Sequence, residues 1–502
     1  MFATIYFFDA ALSIFLVYLA RKVLVSRRKL SHPYPPGPRP WPLIGNLFDI
    51  PKVPDPWNAF TELGHKYGPL IHFNVLGQHI VVVNSFAHAS EMLDRAIYSD
   101  RPPLVMAAEL SGYEDTLPLM PYGSRFRATR RLVHRFMGTR ALVTKYGSQI
   151  EEEEARRVMR RILEDPSPES LHDHLRKFAG AVILRMTYAY TPREHHDPLV
   201  QLAEDTLAQF SIVSQAGVFL VDTIPALRHL PSWMPGAGFL RLARDAKDNI
   251  CALAQRPMDY QQSFISENVS LPISDEDEYM LKWTAVNMYA GGADTSVSAL
   301  YAAILALVMH PDVQRKAQEE VDRVIGSERL PTLADRDNLP YIDAMTKEIF
   351  RWSPTVPTAI PHRLTEDDIY NGFFLPKDTI VIPNIQNMLY DPEVYPEPRR
   401  FIPERFLQRE GKDMEPNPYP AAFGFGRRVC PGIQLADTSA FMIFATAAAV
   451  LSISKVIENG AVVEPLHRTV GGTIVHPAGF KCKIIPRSSA AAALVMGAQF
   501  NE

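Results

Sequence analysis

The sequence predicts a mainly helical fold with small β-sheets (α+β), organised as a single large domain behind an N-terminal transmembrane helix. Residues 275–311 read as one very long helix that is apolar nearly all round in its second half, as is typical of a helix at the centre of a protein. Residues 70–84 alternate between apolar and polar side chains around Gly77 and Gln78, which is the pattern of a β-hairpin. Beyond the linker at residues 23–42 we find no repeat and no break in composition that would separate two domains.

The N-terminal segment predicts a membrane anchor. Residues 2–20 are apolar apart from Asp9, close to the ~20 residues that a helix needs to cross a bilayer, and basic residues follow at positions 21–29. Basic residues stay on the cytoplasmic side, so we expect a transmembrane helix over residues 1–22 and the rest of the chain in the cytosol. A cleaved signal peptide fits less well, because the basic residues follow the apolar run instead of preceding it.

The elements after the anchor follow from prolines, periodicity and charge. Residues 23–42 form a basic and proline-rich linker, since six prolines in residues 32–42 exclude a helix. Within the domain at residues 43–502, residues 149–165 form an amphipathic helix with acidic residues early and arginines late. Another helix begins at Pro311 and ends at Gly326, and a further helix spans residues 433–452. Strand-like segments lie at residues 378–384 and 479–486.

Composition excludes several classes of function. The formal net charge is −4, so no overall positive field indicates a nucleic-acid partner. The three cysteines, Cys251, Cys430 and Cys482, are far apart in the sequence. A disulfide framework and a cysteine-rich zinc site are therefore not expected, and the spacing favours a reducing compartment.

Polar residues interrupt two helices at positions that can carry chemistry. The segment AGGADTS, residues 290–296, places two glycines before Asp294 and Thr295. It predicts either a packing notch with a satisfied polar pair or a pocket beside a proton-handling pair. In KEIFRW, Glu348 and Arg351 share one helix face, and Arg405 in FIPERF can join them. Such a buried cluster of two arginines and one carboxylate would hold the irregular segment between this helix and the loop that contains Cys430.

The segment FGFGRRVCPG, residues 423–432, places Cys430 in a glycine-rich loop directly before a helix. Glycine allows close approach of another body, and a helix N-terminus lowers the pKa of a thiol. A thiolate in such a loop is suited to be the axial ligand of haem iron, and Arg428 can pair with an anionic group of that body. The basic stripes at residues 122–136 are either a solvated face or arginines that hold acidic groups of a cofactor.

These segments together resemble the cytochrome P-450 family. FGFGRRVCPG fits the haem-binding signature F-x-x-G-x-R-x-C-x-G at every fixed position, and AGGADTS, KEIFR and PERF precede it in the family's order. The resemblance covers essentially the whole chain. The anchor and the proline-rich linker resemble those of eukaryotic microsomal members. PLIGNLFDIP, HLPSWMPG and NMLYDPEVYPEPRRFIPERF are most similar to fungal members, many of which oxidise secondary metabolites or foreign compounds.

The resemblance implies a role for each motif residue. Cys430 would be the metal ligand of haem b, Phe423 would shield its sulfur, and Asp294 and Thr295 would relay the protons that cleave the O–O bond. Phenylalanine stands at position 126 where the family commonly has tryptophan, so an N–H donor to one propionate is missing. The implied cofactor-binding residues are Phe126, Arg130, His362, Phe423, Gly426, Arg428 and Cys430. The implied structural network is Glu348, Arg351 and Arg405.

The implied activity is insertion of one atom of O2 into a lipophilic or aromatic small molecule, in secondary metabolism or xenobiotic oxidation. Electrons would come from an NADPH-dependent flavoprotein reductase at the endoplasmic reticulum membrane, with a small electron-donor cytochrome as a second candidate partner. Substrate would contact Asn287, Met288, Gly291, Val356 and the rest of residues 355–360, and the loop at 470–473. Two alternatives are a haem-thiolate isomerase or dehydratase that uses no O2, which Asp294 and Thr295 disfavour, and a non-enzymatic haem-binding membrane protein.

Overall fold

A computed structural model describes residues 32–51, 55–194, 196–215, 217–266 and 274–497. The predicted anchor at residues 1–22 and the start of the linker lie outside the described residues. The helices are α1 Pro56–Tyr67, α2 Phe86–Asp94, α3 Ser124–Met137, α4 Arg140–Glu164, α5 Pro168–Tyr188, α6 Pro198–Val213, α7 Leu220–Thr223, α8 Gly238–Ser266, α9 Asp275–Met309, α10 Pro311–Val324, α11 Pro340–Trp352, α12 Ile385–Leu389, α13 Tyr419–Ala422, α14 Ile433–Val450 and α15 Ser489–Met496.

The strands are short and form small sheets. They are β1 Leu70–Val75, β2 Gln78–Val83, β3 His362–Arg363, β4 Asp368–Tyr370, β5 Phe373–Leu375, β6 Ile380–Pro383, β7 Leu451–Ser454, β8 Ile457–Glu458, β9 Ala461–Val462, β10 Thr469–Gly471, β11 Val475–Pro477 and β12 Lys483–Pro486. The largest sheet has the order β1-β2-β6-β3, in which β2 and β6 are parallel and the other pairs are antiparallel. The remaining sheets pair β10 with β11, β12 with β7, β4 with β5 and β8 with β9. The prediction of a mainly helical fold with small sheets is confirmed.

Helix α9 is the centre of the helical part, as its apolar sequence predicts. Ser274 caps its start by accepting a hydrogen bond from the Asp277 backbone N–H, and acidic residues fill its first turn. The helix ends at Met309, because Pro311 begins the next helix. Its second half is buried nearly all round, and it packs against α5, α11, α14 and β11. This packing places the middle of α9 opposite the loop that leads into α14.

The hairpin predicted at residues 70–84 is formed by β1 and β2, with Leu70 paired to Val83 and Val75 to Gln78. The described part of the proline-rich linker lies against this hairpin. The His72 backbone N–H donates to Pro36 O over 2.8 Å, and the Tyr34 ring stacks on the His72 ring at 4.8 Å between centroids. The linker is therefore attached to the sheet by a backbone hydrogen bond and an aromatic contact.

Two of the described helices, α9 and α14, are long and apolar enough to cross a membrane. Most of the apolar window of each is buried within the protein, 72% in α9 and 78% in α14. Burial of this extent is typical of core helices, and it accounts for their composition without a bilayer.

Candidate functional site

A cavity of about 310 Å³ lies between α9 and the loop that carries Cys430. Gly291 and Thr295 of α9 line one wall, and Phe423 and Cys430 line the opposite wall. A slot with a thiol on one face and a helix on the other suits a flat group that is bound through sulfur.

The two adjacent glycines of α9 have different roles. A Cβ on Gly292 would lie 2.7 Å from Ile183 Cδ1, so this glycine lets α5 pack closely against α9. A Cβ on Gly291 would meet no atom within 4 Å; both glycines line the cavity, and Gly292 also allows the close packing of α5. The packing notch and the pocket, which the sequence offered as alternatives, are thus both present on neighbouring residues.

The neighbouring polar pair of α9 points in two directions. The Thr295 hydroxyl lines the cavity and donates a hydrogen bond to Gly291 O over 2.7 Å. Asp294 does not line the cavity, and its Oδ1 lies 3.1 Å from Nε2 of His476 in β11. Of the predicted proton-handling pair, only Thr295 therefore faces the site directly.

Backbone contacts shape the cysteine loop. The Cys430 N–H donates to Phe423 O over 2.8 Å, which closes the loop at the residue predicted to shield the sulfur. The Phe423 ring packs 4.9 Å from the Phe350 ring. Gly426 was expected to contact the cofactor, but it does not line the cavity. Its φ of +52° and the 2.3 Å distance from an added Cβ to Leu93 O show instead that glycine is needed there for contact with α2.

The electrostatic setting of Cys430 differs from the expectation. Burial raises the pKa of Cys430, and this effect outweighs the backbone hydrogen bond from Gly432 and the charge of Arg130, both of which lower it. The expectation that the N-terminus of α14 gives Cys430 a lowered pKa is therefore wrong for the protein without a cofactor. Cys430 is accessible from the cavity that it lines. A metal cation at the sulfur would favour the thiolate, so the position fits a metal-bound cysteine.

Arg428 is held at one end of the cavity by carbonyl groups. Its Nε donates to Ser99 O over 2.7 Å and its Nη2 to Met120 O over 2.8 Å, and its guanidinium lies 3.8 Å from the centre of the Phe126 ring. Burial lowers the pKa of Arg428 to about 10. Phe126 thus supports the arginine by a cation–π contact, although it offers no hydrogen-bond donor to a cofactor.

Three further basic side chains line the same cavity. Nη2 of Arg130 donates to Val429 O over 2.5 Å, and Nδ1 of His362 donates to Tyr98 O over 2.8 Å. Arg101, which the sequence reasoning missed, donates from Nη1 to Ile360 O over 2.7 Å.

Burial lowers the pKa of Arg101, Arg130 and His362, in the last case with a further lowering from the charge of Arg101. No aspartate or glutamate is among the described residues that line the cavity. Nε of Arg101 is buried without a hydrogen-bond partner. Buried arginines without carboxylates are costly unless an anion joins them. Haem carries two carboxylates as well as iron, so the residues present fit haem.

The rest of the cavity wall is mainly apolar. Met288 and Val356, for which substrate contacts are predicted, line the cavity together with Thr355, Ala359 and Ile360. Asn287 also lines it, but its amide holds a neighbouring loop: Oδ1 accepts from Leu117 N over 2.5 Å and Nδ2 donates to Trp283 O over 2.7 Å. The sequence reasoning missed the wall residues that come from α5, α6 and the loops before α3, namely Tyr113, Thr116, Leu117, Pro118, Ile183, Leu207 and Phe210.

The loop predicted at residues 470–473 does not line the cavity. Val470 is exposed, and the Thr473 hydroxyl lies 2.9 Å from the Ser214 hydroxyl of the segment after α6. The next residue, Ile474, provides the wall instead. Residues 472–474 form the bend between β10 and β11, and this bend turns Ile474 toward the cavity while Thr473 contacts Ser214.

The structure brings Glu348, Arg351 and Arg405 together behind the site. Glu348 and Arg351 are fully buried and form a bidentate pair with distances of 2.7 and 2.8 Å. Nε of Arg405 lies 3.5 Å from Glu348, but its closer carboxylate is Glu415, at 2.9 Å from Nη1. The cluster therefore contains two carboxylates, not the single one expected.

Arg351 also holds the irregular segment that leads toward the cysteine loop. Its Nη1 donates to Leu389 O over 3.0 Å and to Pro398 O over 2.8 Å, and its Nη2 donates to Arg400 O over 3.0 Å. The Ile402 backbone N–H donates to Glu348 over 2.8 Å. One buried ion pair thus satisfies the backbone groups of a segment that has little regular structure of its own.

Comparison with known proteins gives a consistent result. The family model described as cytochrome P-450 matches residues 35–454. Cytochrome P-450 monooxygenase 208 of Postia placenta is 43% identical, over 97% of this chain and 97% of that protein. Cytochrome P-450 monooxygenase claR of Ampulloclitocybe clavipes is 42% identical, over 97% and 92% of the two chains. Cytochrome P-450 monooxygenase ppsD of Aspergillus oryzae is 39% identical, over 93% and 91%.

Proposed function

The chain belongs to the cytochrome P-450 family and is a haem-thiolate monooxygenase, and on this premise we propose that Cys430 binds the iron of haem b and that the substrate is a neutral, lipophilic small molecule. One observation carries the proposal. A single cavity has a thiol on one wall, Thr295 on the other, three arginines at its edge and a mainly apolar remainder without acidic side chains.

When bound, the haem supplies the redox chemistry that activates O2. Cys430 would hold the haem iron through its sulfur, and the Phe423 ring, packed on Phe350, would keep water from that sulfur. Arg101, Arg130 and Arg428 would neutralise the propionates, and their hydrogen bonds to backbone carbonyls fix the direction of each side chain. Contacts between these arginines and the propionates would orient the cofactor and would offset the cost of burying the arginines without anions.

Proton supply would come from the polar pair of α9. The Thr295 hydroxyl gives its hydrogen to Gly291 O, so the oxygen lone pairs are left to accept a hydrogen bond within the cavity. Asp294 precedes Thr295 and retains 21% exposure of its side chain, so it can exchange protons with the outside of the site. Delivery to the cavity would need rotation of the Asp294 side chain, because its carboxylate is directed toward His476.

The residues that line the cavity indicate the class of substrate. Met288, Val356, Ile474 and Phe210 are apolar, and Asn287 is engaged with the loop at Leu117. A charged substrate would find no acidic partner, and the arginines are reserved for the cofactor. A neutral lipophilic or aromatic molecule fits this wall best. The fungal origin of the curated relatives favours a role in secondary metabolism.

Electron supply would come from a membrane-bound flavoprotein reductase that uses NADPH, or from a small electron-donor cytochrome. Arg127, Arg131 and Arg135 are exposed on α3, the helix that carries Arg130. A row of exposed arginines next to the cofactor suits an acidic partner surface. An anchor at residues 1–22 would hold the enzyme at the endoplasmic reticulum membrane with this surface in the cytosol.

Reconstitution with a reductase tests the proposal. Full-length protein is incubated with the reductase, NADPH and isotopically labelled O2, with naphthalene as the neutral probe and naphthoate as its charged counterpart. We expect NADPH consumption that depends on naphthalene, one labelled oxygen atom in the product, and little turnover of naphthoate. A product without labelled oxygen, or a product formed without NADPH, would contradict monooxygenation. Preferred turnover of naphthoate would contradict the proposed substrate class.

A further inference from the structure

Two histidines continue the polar pair of α9 away from the cavity. Nε2 of His476 lies 3.1 Å from Oδ1 of Asp294, and Nδ1 of His476 lies 3.5 Å from Nε2 of His172. The three side chains come from different elements: Asp294 from α9, His476 from β11 and His172 from α5. An uninterrupted row of proton-carrying groups therefore leads from the residue next to Thr295 toward the outside of the helical core.

The possible proton positions in this row are restricted. Ionised Asp294 can only accept, so Nε2 of His476 must carry the hydrogen, and Nδ1 of neutral His476 is then an acceptor. Nε2 of His172 must donate to that nitrogen, which leaves Nδ1 of His172 free to take up a proton. Both hydrogen bonds are thus directed inward, toward Asp294.

The surroundings keep His172 neutral at cellular pH. Burial lowers the pKa of His172 to about 4, with further lowering from the charges of Arg176 and His476 and an opposing effect of Asp294 and Asp173. Arg176 itself lies 3.1 Å from Asp173 and 3.2 Å from Glu204 of α6. The Tyr301 ring meets the His172 ring edge-on at 5.2 Å between centroids. His172 can therefore pass a proton without storing one.

We propose that His476 and His172 form a proton-supply relay that acts through Asp294. The inference rests on the proposed function, in which Asp294 feeds Thr295. For each proton delivered, the Nε2–H bond of His476 breaks as an O–H bond forms on Asp294, and the Nε2–H bond of His172 breaks as an Nδ1–H bond forms on His476. A hydronium ion from solvent then gives a proton to Nδ1 of His172 and leaves as water, so one proton moves inward. Asp294 passes its proton toward Thr295 and becomes a carboxylate again, and both imidazole rings must flip to return hydrogen to Nε2 before the next delivery.

Direct protonation of Asp294 by solvent is the competing route, because 21% of its side chain is exposed. The two routes differ in what glutamine does at position 476. Glutamine can donate a hydrogen bond to Asp294, but it cannot accept a proton on one nitrogen and release another from a second. A relay fails with glutamine, whereas direct protonation continues.

The first experiment compares His476→Gln with His65→Gln, the same change at an exposed histidine in the last turn of α1. With naphthalene, NADPH and reductase, we expect the ratio of product to peroxide in His476→Gln to fall about tenfold, less than the ~10²-fold that a general acid contributes when it acts directly on the reacting group. Haem content and naphthalene affinity stay at the wild-type level. A product-to-peroxide ratio equal to that of His65→Gln would overturn the relay.

A second readout does not use turnover. In protein with nitrogen-15-labelled histidine, measured as the diamagnetic ferrous carbon monoxide complex, we expect both histidines to carry hydrogen on Nε2. His172→Phe should shift the Nδ1 resonance of His476, because it removes the donor to that nitrogen. An unchanged resonance, or hydrogen on Nδ1 of His476, would contradict the relay even if His476→Gln failed to fold. If the wild type itself consumed no NADPH with any probe, the proposed function would fail first.

Discussion

Replacing either glycine of the cysteine loop with alanine tests how that loop is built. Gly426 has φ +52° and Gly424 has φ +81°, so both adopt the left-handed backbone conformation that alanine disfavours. Their surroundings differ. A Cβ at Gly426 would lie 2.3 Å from Leu93 O and 3.0 Å from Asp94 Cα, whereas the nearest atom to a Cβ at Gly424 is Arg428 O at 3.9 Å.

The expected costs follow from these distances. Alanine in the left-handed region costs about 1–2 kcal/mol at either site. At Gly426 the backbone of α2 must also shift, because 2.3 Å is far inside van der Waals contact, and such overpacking adds about 1–3 kcal/mol. Gly426→Ala should therefore destabilise the protein by about 2–5 kcal/mol, and Gly424→Ala by about 1–2 kcal/mol.

Urea unfolding of the haem-loaded variants, followed by tryptophan fluorescence, measures the difference. We expect a lower urea midpoint for Gly426→Ala than for Gly424→Ala. If both variants lost the same stability, close contact with Leu93 would not be the reason for glycine at position 426. If Gly424→Ala had the lower urea midpoint, the backbone conformation of the cysteine loop would differ from the one in this structure.

Three further predictions concern the cavity and its support. Thr295→Ala should form peroxide at the expense of product, and the product-to-peroxide ratio should fall by up to the ~10²-fold typical of a general acid. A variant that still puts all of its NADPH consumption into product would refute the role of Thr295 in proton delivery. Met288→Ala and Val356→Ala should change the product profile at unchanged haem content, and unchanged products in both would count against their contact with substrate. Arg351→Met removes the bidentate partner of buried Glu348 and leaves it only the Arg405 contact at 3.5 Å and the Ile402 N–H, so the urea midpoint should fall by the equivalent of about 3 kcal/mol. Adding Glu348→Gln should recover part of that loss, and no recovery would refute the coupling of the pair.

Site residues that stand within a short sequence motif could be predicted from the sequence. Cys430 and Thr295 stand in short, specific patterns, and the structure places them on facing walls of one cavity. Because Glu348 and Arg351 are three residues apart, they were predicted to lie on the same face of a helix, and both side chains are fully buried there. The helix at residues 275–311 was predicted within two residues of its end, because Pro311 and the acidic first turn mark its limits.

Residues that depend on tertiary contacts could not be predicted in this way. Arg101 lies in an irregular segment with no pattern around it, and only the carbonyls of Ile360 and Pro361 direct it to the cavity. The reason for glycine at position 426 is the backbone of Leu93, more than 300 residues earlier in the chain. The direction of Asp294 is likewise set by His476, from a strand whose register the sequence does not reveal.

The carbon monoxide difference spectrum of the reduced protein tests the central claim most directly. Wild type, Cys430→Ser and Cys251→Ser are compared, since Cys251 is an exposed cysteine on α8 and serves as the matched control. We expect a red-shifted, thiolate-type Soret band in wild type and Cys251→Ser, and its loss in Cys430→Ser. A band that persists in Cys430→Ser, or haem bound in wild type without that band, would contradict Cys430 as the axial ligand.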